Sequence, residues 1–128
     1  MSFGTDLNTV MQADASLSSY CNGGIYYENL PDNFDLTKNW MAYSFRKTEQ
    51  QDCLAGIKNV YTTYSIITKV IATDTNTLET ISDHLVDYLN NKEQGGIKDT
   101  WFLGDNHTID LEKNIYINSL DFRSYYIV

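Results

Sequence analysis

Apolar and polar residues along the chain follow two periods. Leu7, Val10 and Met11 keep the i, i+3, i+4 spacing of one helix face, and Asp14 is placed to cap a further turn carrying Leu17. Cys21-Asn22-Gly23-Gly24 ends that helical region, because paired glycines accept the backbone conformations of a helix stop. Ile25-Tyr26-Tyr27 is a short strand candidate, and Leu30 to Asn39, with Pro31 and Asp32-Asn33, reads as a polar loop. From Trp40 to Lys47 the pattern alternates, with Met41, Tyr43 and Phe45 opposite Ala42, Ser44 and Arg46. Thr48 to Asn59 is polar, reads as a hairpin connection, and leads into the strongest strand, Val60 to Ala72. There Val60, Tyr64, Ile66, Val70 and Ala72 share one face, while Tyr61, Ile67 and Ile71 share the other with Thr63, Ser65 and Lys69.

Asn76 to Asn91 carries a clear helical stripe of Leu78, Ile81, Leu85, Tyr88 and Leu89. Asp74, Thr75 and Asn76 are its candidate caps, and Asn76 with Glu79 has capping-box spacing. After Gly95-Gly96 the pattern predicts a strand at Trp101–Leu103, a Gly104-Asp105-Asn106 turn, a second strand at His107–Leu111 and a turn at Glu112-Lys113-Asn114. A long strand from Ile115 to Ile127 closes the chain. It sets Tyr116, Leu120, Phe122 and Tyr126 against Ile115, Ile117, Tyr125 and Ile127. The expected class is α+β: one domain over residues 1–128, mainly an antiparallel β-sheet with two helices packed on one face.

Size and charge then restrict the partners. A chain of 128 residues is long enough to bury a core without disulfides. It has no apolar run of membrane-spanning length, and its first residues lack a signal-peptide pattern. Nine Lys and Arg against seventeen Asp and Glu leave a formal charge of −8, and the one adjacent basic pair is Arg46-Lys47. Sequence-specific nucleic-acid binding needs clustered cations and is not expected. Cys21 and Cys53 have no metal-site or redox spacing and read as reduced thiols.

Candidate chemistry is sparse. Phosphate-loop, nucleophile-elbow and zinc-helix motifs are all missing from the sequence. Asp105, His107, Asp110 and Glu112 are the densest acid–base or ligand cluster. In an extended strand, however, His107 points away from Asp110 and Glu112. Asp83, His84 and Asp87 on the second helix place like charges one turn apart. The expectation is a non-enzymatic protein with no cofactor and no metal. The alternative of another class is a small cytosolic ligand-binding or regulatory α+β protein acting through the His107 cluster or as a dimer.

What stands out is the two-sided strands. Helices cover one face of a sheet, so the apolar residues of the other face require either a roof of loops (Leu30–Asn39 and Thr48–Asn59) or another subunit. Tyr61, Ile67, Tyr125 and Ile127 are the candidate subunit-interface residues.

The ordered set of pieces resembles a known family. A helix over Leu7–Leu17, containing Met11-Gln12-Ala13-Asp14-Ala15-Ser16-Leu17, runs into Gly24-Ile25-Tyr26-Tyr27. An alternating strand follows the Pro31 loop, and the long strand Tyr61–Ala72 comes next. A helix capped after Asp74 and a terminal Leu120-Asp121-Phe122-Arg123 strand complete it. In this it is similar to the tail-terminator and tail-completion (tail-to-head joining) proteins of long-tailed bacteriophages. The resemblance spans nearly the whole chain but rests on order rather than on any single motif. The Asn- and Thr-rich composition and ten tyrosines depart from an easy match.

The resemblance implies a virion protein, assembled in the host cytoplasm. It would form a homo-oligomeric, hexameric ring that ends tube polymerisation at the head-proximal end of the tail. Its partners would be the tail tube protein and the head connector or neck, with DNA passing through the central channel; a head-completion or neck adaptor is the near alternative. Carboxylates lining such a hole would repel phosphate. Asp32 and Asp35 in the first loop, and Arg46, Lys47, Glu49 and Asp52 in or beside the second, are the candidate lumen- or partner-facing positions.

Overall fold

The computed structural model describes residues 2–51 and 61–127, leaving out the side chains of residues 49–51 and 61. The elements are α1 (Phe3–Ala13), α2 (Ala15–Tyr20), β1 (Gly24–Tyr27), β2 (Trp40–Gln51), β3 (Tyr61–Ala72), α3 (Thr75–Leu89), β4 (Ile97–Asp110) and β5 (Ile115–Tyr126). The class is α+β. One five-stranded sheet runs in the order β1-β2-β3-β5-β4, antiparallel except for β1, which lies parallel to β2.

All three helices pack on one face of this sheet. Alternation along the strands turns Met41, Tyr43, Ile66, Val70, Leu120, Phe122 and Tyr126 toward that side. They pack there with Phe3, Leu7, Val10, Met11, Leu17, Leu78, Ile81, Leu85 and Leu89 of the helices. A fully buried side chain of this size contributes about 1.5–3 kcal/mol, so this layer dominates the stability. Phe3 stacks on Tyr64 at 3.9 Å between ring centroids and meets the edge of Tyr126 at 5.5 Å.

The caps explain the helix boundaries. Ser2 accepts a hydrogen bond from the Thr5 backbone N–H at 3.2 Å and starts α1. Asp14, extended at φ −85° and ψ 115°, ends α1 and caps α2 by accepting from the Leu17 N–H at 3.0 Å. Asp74 caps α3, accepting from both the backbone and the hydroxyl of Thr77, so the expected Asn76–Glu79 box is not used. Those bonds favour the ionised form and hold the Asp74 carboxyl below the usual carboxylate range.

Two expected boundaries moved. β2 continues through Gln51, pairing with β3 beyond a bulge after Lys47, where the polar run predicted a loop. Ladder pairing satisfies backbone groups whatever the side chains, and Thr48 Oγ1 adds a bond to the Thr63 carbonyl at 3.0 Å. β4 is likewise one strand rather than two. Gly104-Asp105-Asn106 makes no turn, because β5 offers a continuous partner, and the extra residue is absorbed as a bulge between Phe102 and Gly104.

One buried charge ties the chain's two ends together. Asp6 is 4% exposed, and its Oδ2 accepts from the Gly96 N–H and the Tyr126 hydroxyl, both at 3.0 Å. Gly95 lies at φ 56° directly against the carboxylate, where a Cβ would come within 2.5 Å of Oδ1. Cys21 is also buried, and desolvation pushes its thiol up to about 12, which keeps it protonated and unreactive. Cys53 lies outside the described residues.

Two outcomes are expected. Asp6→Ala leaves two buried donors unpaired and should cost about 2–4 kcal/mol in urea unfolding, against about 1 kcal/mol for Tyr126→Phe. A loss for Asp6→Ala below about 0.5 kcal/mol would exclude a structural role for the carboxylate. Burial first, and then the bond to Asp6, raises Tyr126 above its ordinary value of 10.0, and burial raises Tyr43 and Tyr88 too. The unfolded chain therefore loses these protons first. Stability should hold below about pH 10 and fall as pH climbs past it, less steeply in Tyr126→Phe.

Candidate assembly interface

The opposite face of the sheet divides into a roofed end and an open part. At the roofed end Trp40, Ile71 and Ile115 are buried under Leu30 and Phe34 of the loop before β2, with Tyr26 and Ile117 alongside. Trp40 anchors that loop: its indole N–H donates to the Asp35 carbonyl at 2.8 Å, and Phe34 packs edge-on at 5.6 Å. Gly23 permits the close approach on the other side, since a Cβ there would fall 2.3 Å from the indole. The Leu30–Asn39 segment thus supplies the expected loop layer, but only over one end.

Farther along, no described residue roofs the face; residues 52–59 of the expected Thr48–Asn59 layer lie outside the described residues. The register sets Arg46, Ser65, Arg123 and Trp101 in one row, and Ser44, Ile67 and Asp121 in the next. Ile67 is 43% exposed and Tyr125 39%, with Ile127 at 40% just past β5. The face is less apolar than the strand pattern suggested, because Arg46, Lys69 and Asp121 project among these residues and are exposed too. Arg123 is half-buried, with its Nε shielded and lacking a hydrogen-bond partner. Trp101 lies against Tyr125 at 4.8 Å between centroids.

Of the expected interface residues, Ile67 and Tyr125 lie on this open face, and Ile127 follows β5, bonded to the Gly96 carbonyl through its N–H. The side chain of Tyr61 lies outside the described residues, as does Asp52. Asp32 and Asp35 stand exposed on the loop. The hydroxyl and then the N–H of Thr37 hold Asp35 below the usual carboxylate range. Arg46, Lys47 and Glu49 belong to β2 rather than to a loop leaving the sheet, because the strand extends past them.

The expected acid–base cluster does not converge. His107 and Asp105 share the helix-side face at 3.3 Å, both well exposed, while Asp110 pairs with Ile115 on the other face and Glu112 lies in the turn. His84 turns away from Asp83 and Asp87 and meets Asp14 at 2.5 Å, joining α3 to the α2 cap. Among the described residues no group of His, Cys, Asp and Glu could hold a metal ion.

Two grooves flank the helix layer. One of about 490 Å³ lies between the start of α1 and β2, lined by Tyr27, Tyr43 and Phe45 with Thr5 and Asn8; the Tyr43 hydroxyl donates to Asn8 Oδ1 at 2.7 Å. The other, about 340 Å³, lies between α3 and β4 and is lined by Asp83, Val86, Asp87, Phe102, Asp105 and Leu120 together with Ser82. Beside it Asn118, fully buried, donates through Nδ2 to Ser82 Oγ at 2.9 Å and to Asp105 Oδ2 at 3.2 Å, while its Oδ1 has no partner. Sequence reasoning missed Asn118 and Asp6. Asp6 was detectable, since it sits on the helix stripe of Phe3, Leu7 and Val10.

No protein-family model and no curated protein matches the sequence. The fold is shared with a chain in the solved structure "Virion of native gene transfer agent (GTA) particle", at a TM-score of 0.77 and 15% identity, over 98% of this chain and 95% of that one.

Proposed function

We propose that this chain is a non-enzymatic virion assembly protein: a ring at the head-proximal end of a tail tube, which ends tube growth and joins the tail to the head connector. The observation carrying this reading is the sheet's open face. Among the described residues the roof of that face ends with the Leu30–Asn39 loop, and Ile67 and Tyr125 stay accessible on strands long enough to seat a neighbouring subunit. Near-complete coverage in both directions with a chain of a gene transfer agent virion supports a virion role, and the terminator reading rests on the resemblance of the ordered elements to that family, which a neck adaptor shares. A charge of −8 suits a channel crossed by DNA, since carboxylates such as Asp32 and Asp35 repel phosphate and avoid salt-dependent capture.

Deleting the gene should give tails of uncontrolled length that fail to join heads, as seen by electron microscopy. Tails of normal length with unsealed heads would identify a neck adaptor instead. Ile67→Asp should cost the isolated chain about 1–2 kcal/mol, because Asp is a poor strand former and would stand opposite Asp121, and leave it folded while abolishing ring formation. Rings that form normally with Ile67→Asp would remove this part of the sheet from the interface.

A further inference from the structure

Resting on the ring reading, we propose that the ring closes by charge: the acidic side of α3, with the groove beside it, receives the patch of Arg46, Lys69 and Arg123 on the open sheet face of the next copy. α3 presents Glu79, Asp83 and Asp87 at successive i, i+4 positions, and no Lys or Arg occurs anywhere in Thr75–Leu89. Like charges at that spacing repel one another, so an isolated helix gains nothing from them. Asp105 of β4 adds a fourth carboxylate across the groove, whose floor of Val86, Phe102 and Leu120 is apolar.

On the other side of the sheet, cations gather on the three central strands: Arg46, Lys69 and Arg123 lie on the open face of β2, β3 and β5 with Asp121 among them, while Asp99 and Asp110 of that face stand on the edge strand β4. Among the described residues, none of these three cations is ion-paired.

Spacing agrees as well. Arg46 and Arg123 sit two strands apart, about 10 Å, and Lys69 lies about 13 Å along β3 from the row they share. Glu79 to Asp87 spans about 12 Å of helix. Ile67, in the middle of the cations, would meet the apolar floor, and the aliphatic stems of Arg46 and Lys69 would cover its walls.

Because the two patches occupy opposite sides of one sheet, their contact cannot be isologous. It runs head to tail, the class of contact that a ring requires and that gives an open filament where the rotation does not close.

Charge reversal tests this by light scattering and sedimentation. Arg46→Glu with Lys69→Glu, and separately Asp83→Lys with Asp87→Lys, should each weaken self-association by at least about tenfold, with the folded circular dichroism spectrum retained. An equimolar mixture of the two variants should restore assembly, because each reversed patch then faces its complement. All four substitutions in one chain should do the same. Added salt should weaken the wild-type ring as screening shortens the reach of the charges. Reversal variants that assemble like the wild type overturn this interface and leave the ring reading standing. A wild-type chain that stays monomeric at low salt up to about 1 mM overturns both, since even a weak pair would associate there.

Discussion

Every helix of this chain lies on the same side of its one sheet, and the remaining features follow from that asymmetry. The covered side must fill a two-layer core, so β2, β3 and β5 turn their large apolar residues toward α1 and α3. Among the described residues one short loop roofs the uncovered side, and Trp40 is the residue that pins it down. That loop reaches as far as Ile115 and Ile71. Beyond it the strands carry a mixture of Ile67, Tyr125, arginine and lysine, which water tolerates and another protein surface can also bind.

Within the core, polar groups fix positions that packing alone leaves loose. Asp6 draws the first helix, the Gly95-Gly96 turn and the end of β5 onto one carboxylate. Asp14 ends one helix, starts the next and meets His84 of α3, while the Tyr88 hydroxyl donates to the Val10 carbonyl at 2.6 Å. Asn118 performs the corresponding task between α3 and β4. Apart from the local Asp14 cap, each of these contacts joins segments at least thirteen residues apart in sequence, and together they orient the helix layer, hence the groove walls, relative to the sheet. The surface proposed for assembly is therefore only as well defined as these buried bonds.

The two edges of the sheet bear on assembly differently. β1 is four residues long, too short to template another strand. β4 is fourteen residues long but is interrupted by two register shifts and carries Lys98, Asp99, Asp105 and Asp110. Bulges and charges on an edge discourage strand addition, so growth of an unlimited sheet is suppressed. With edge pairing disfavoured, the faces remain as the surfaces for the proposed assembly.

How much of this was legible from residues alone depended on range. The helix stripes, the caps at Asp14 and Asp74, the two-sided character of β3 and β5 and the α+β class follow from spacing and short-range hydrogen bonding, which act within a few residues and need no partner. The path of β2 past Lys47 and the unbroken course of β4 through Gly104 did not follow, because a neighbouring strand overrode local turn chemistry. Nor did the placement of charge: Arg46, Lys69 and Arg123 come from three strands, and Asp83, Asp87 and Asp105 from a helix and a strand. Sequence determined which side of each strand and helix is apolar, since that is a matter of period. Only the tertiary structure decided which sides face each other, which stay open and where like charges gather, because those depend on strand order and register across the whole chain.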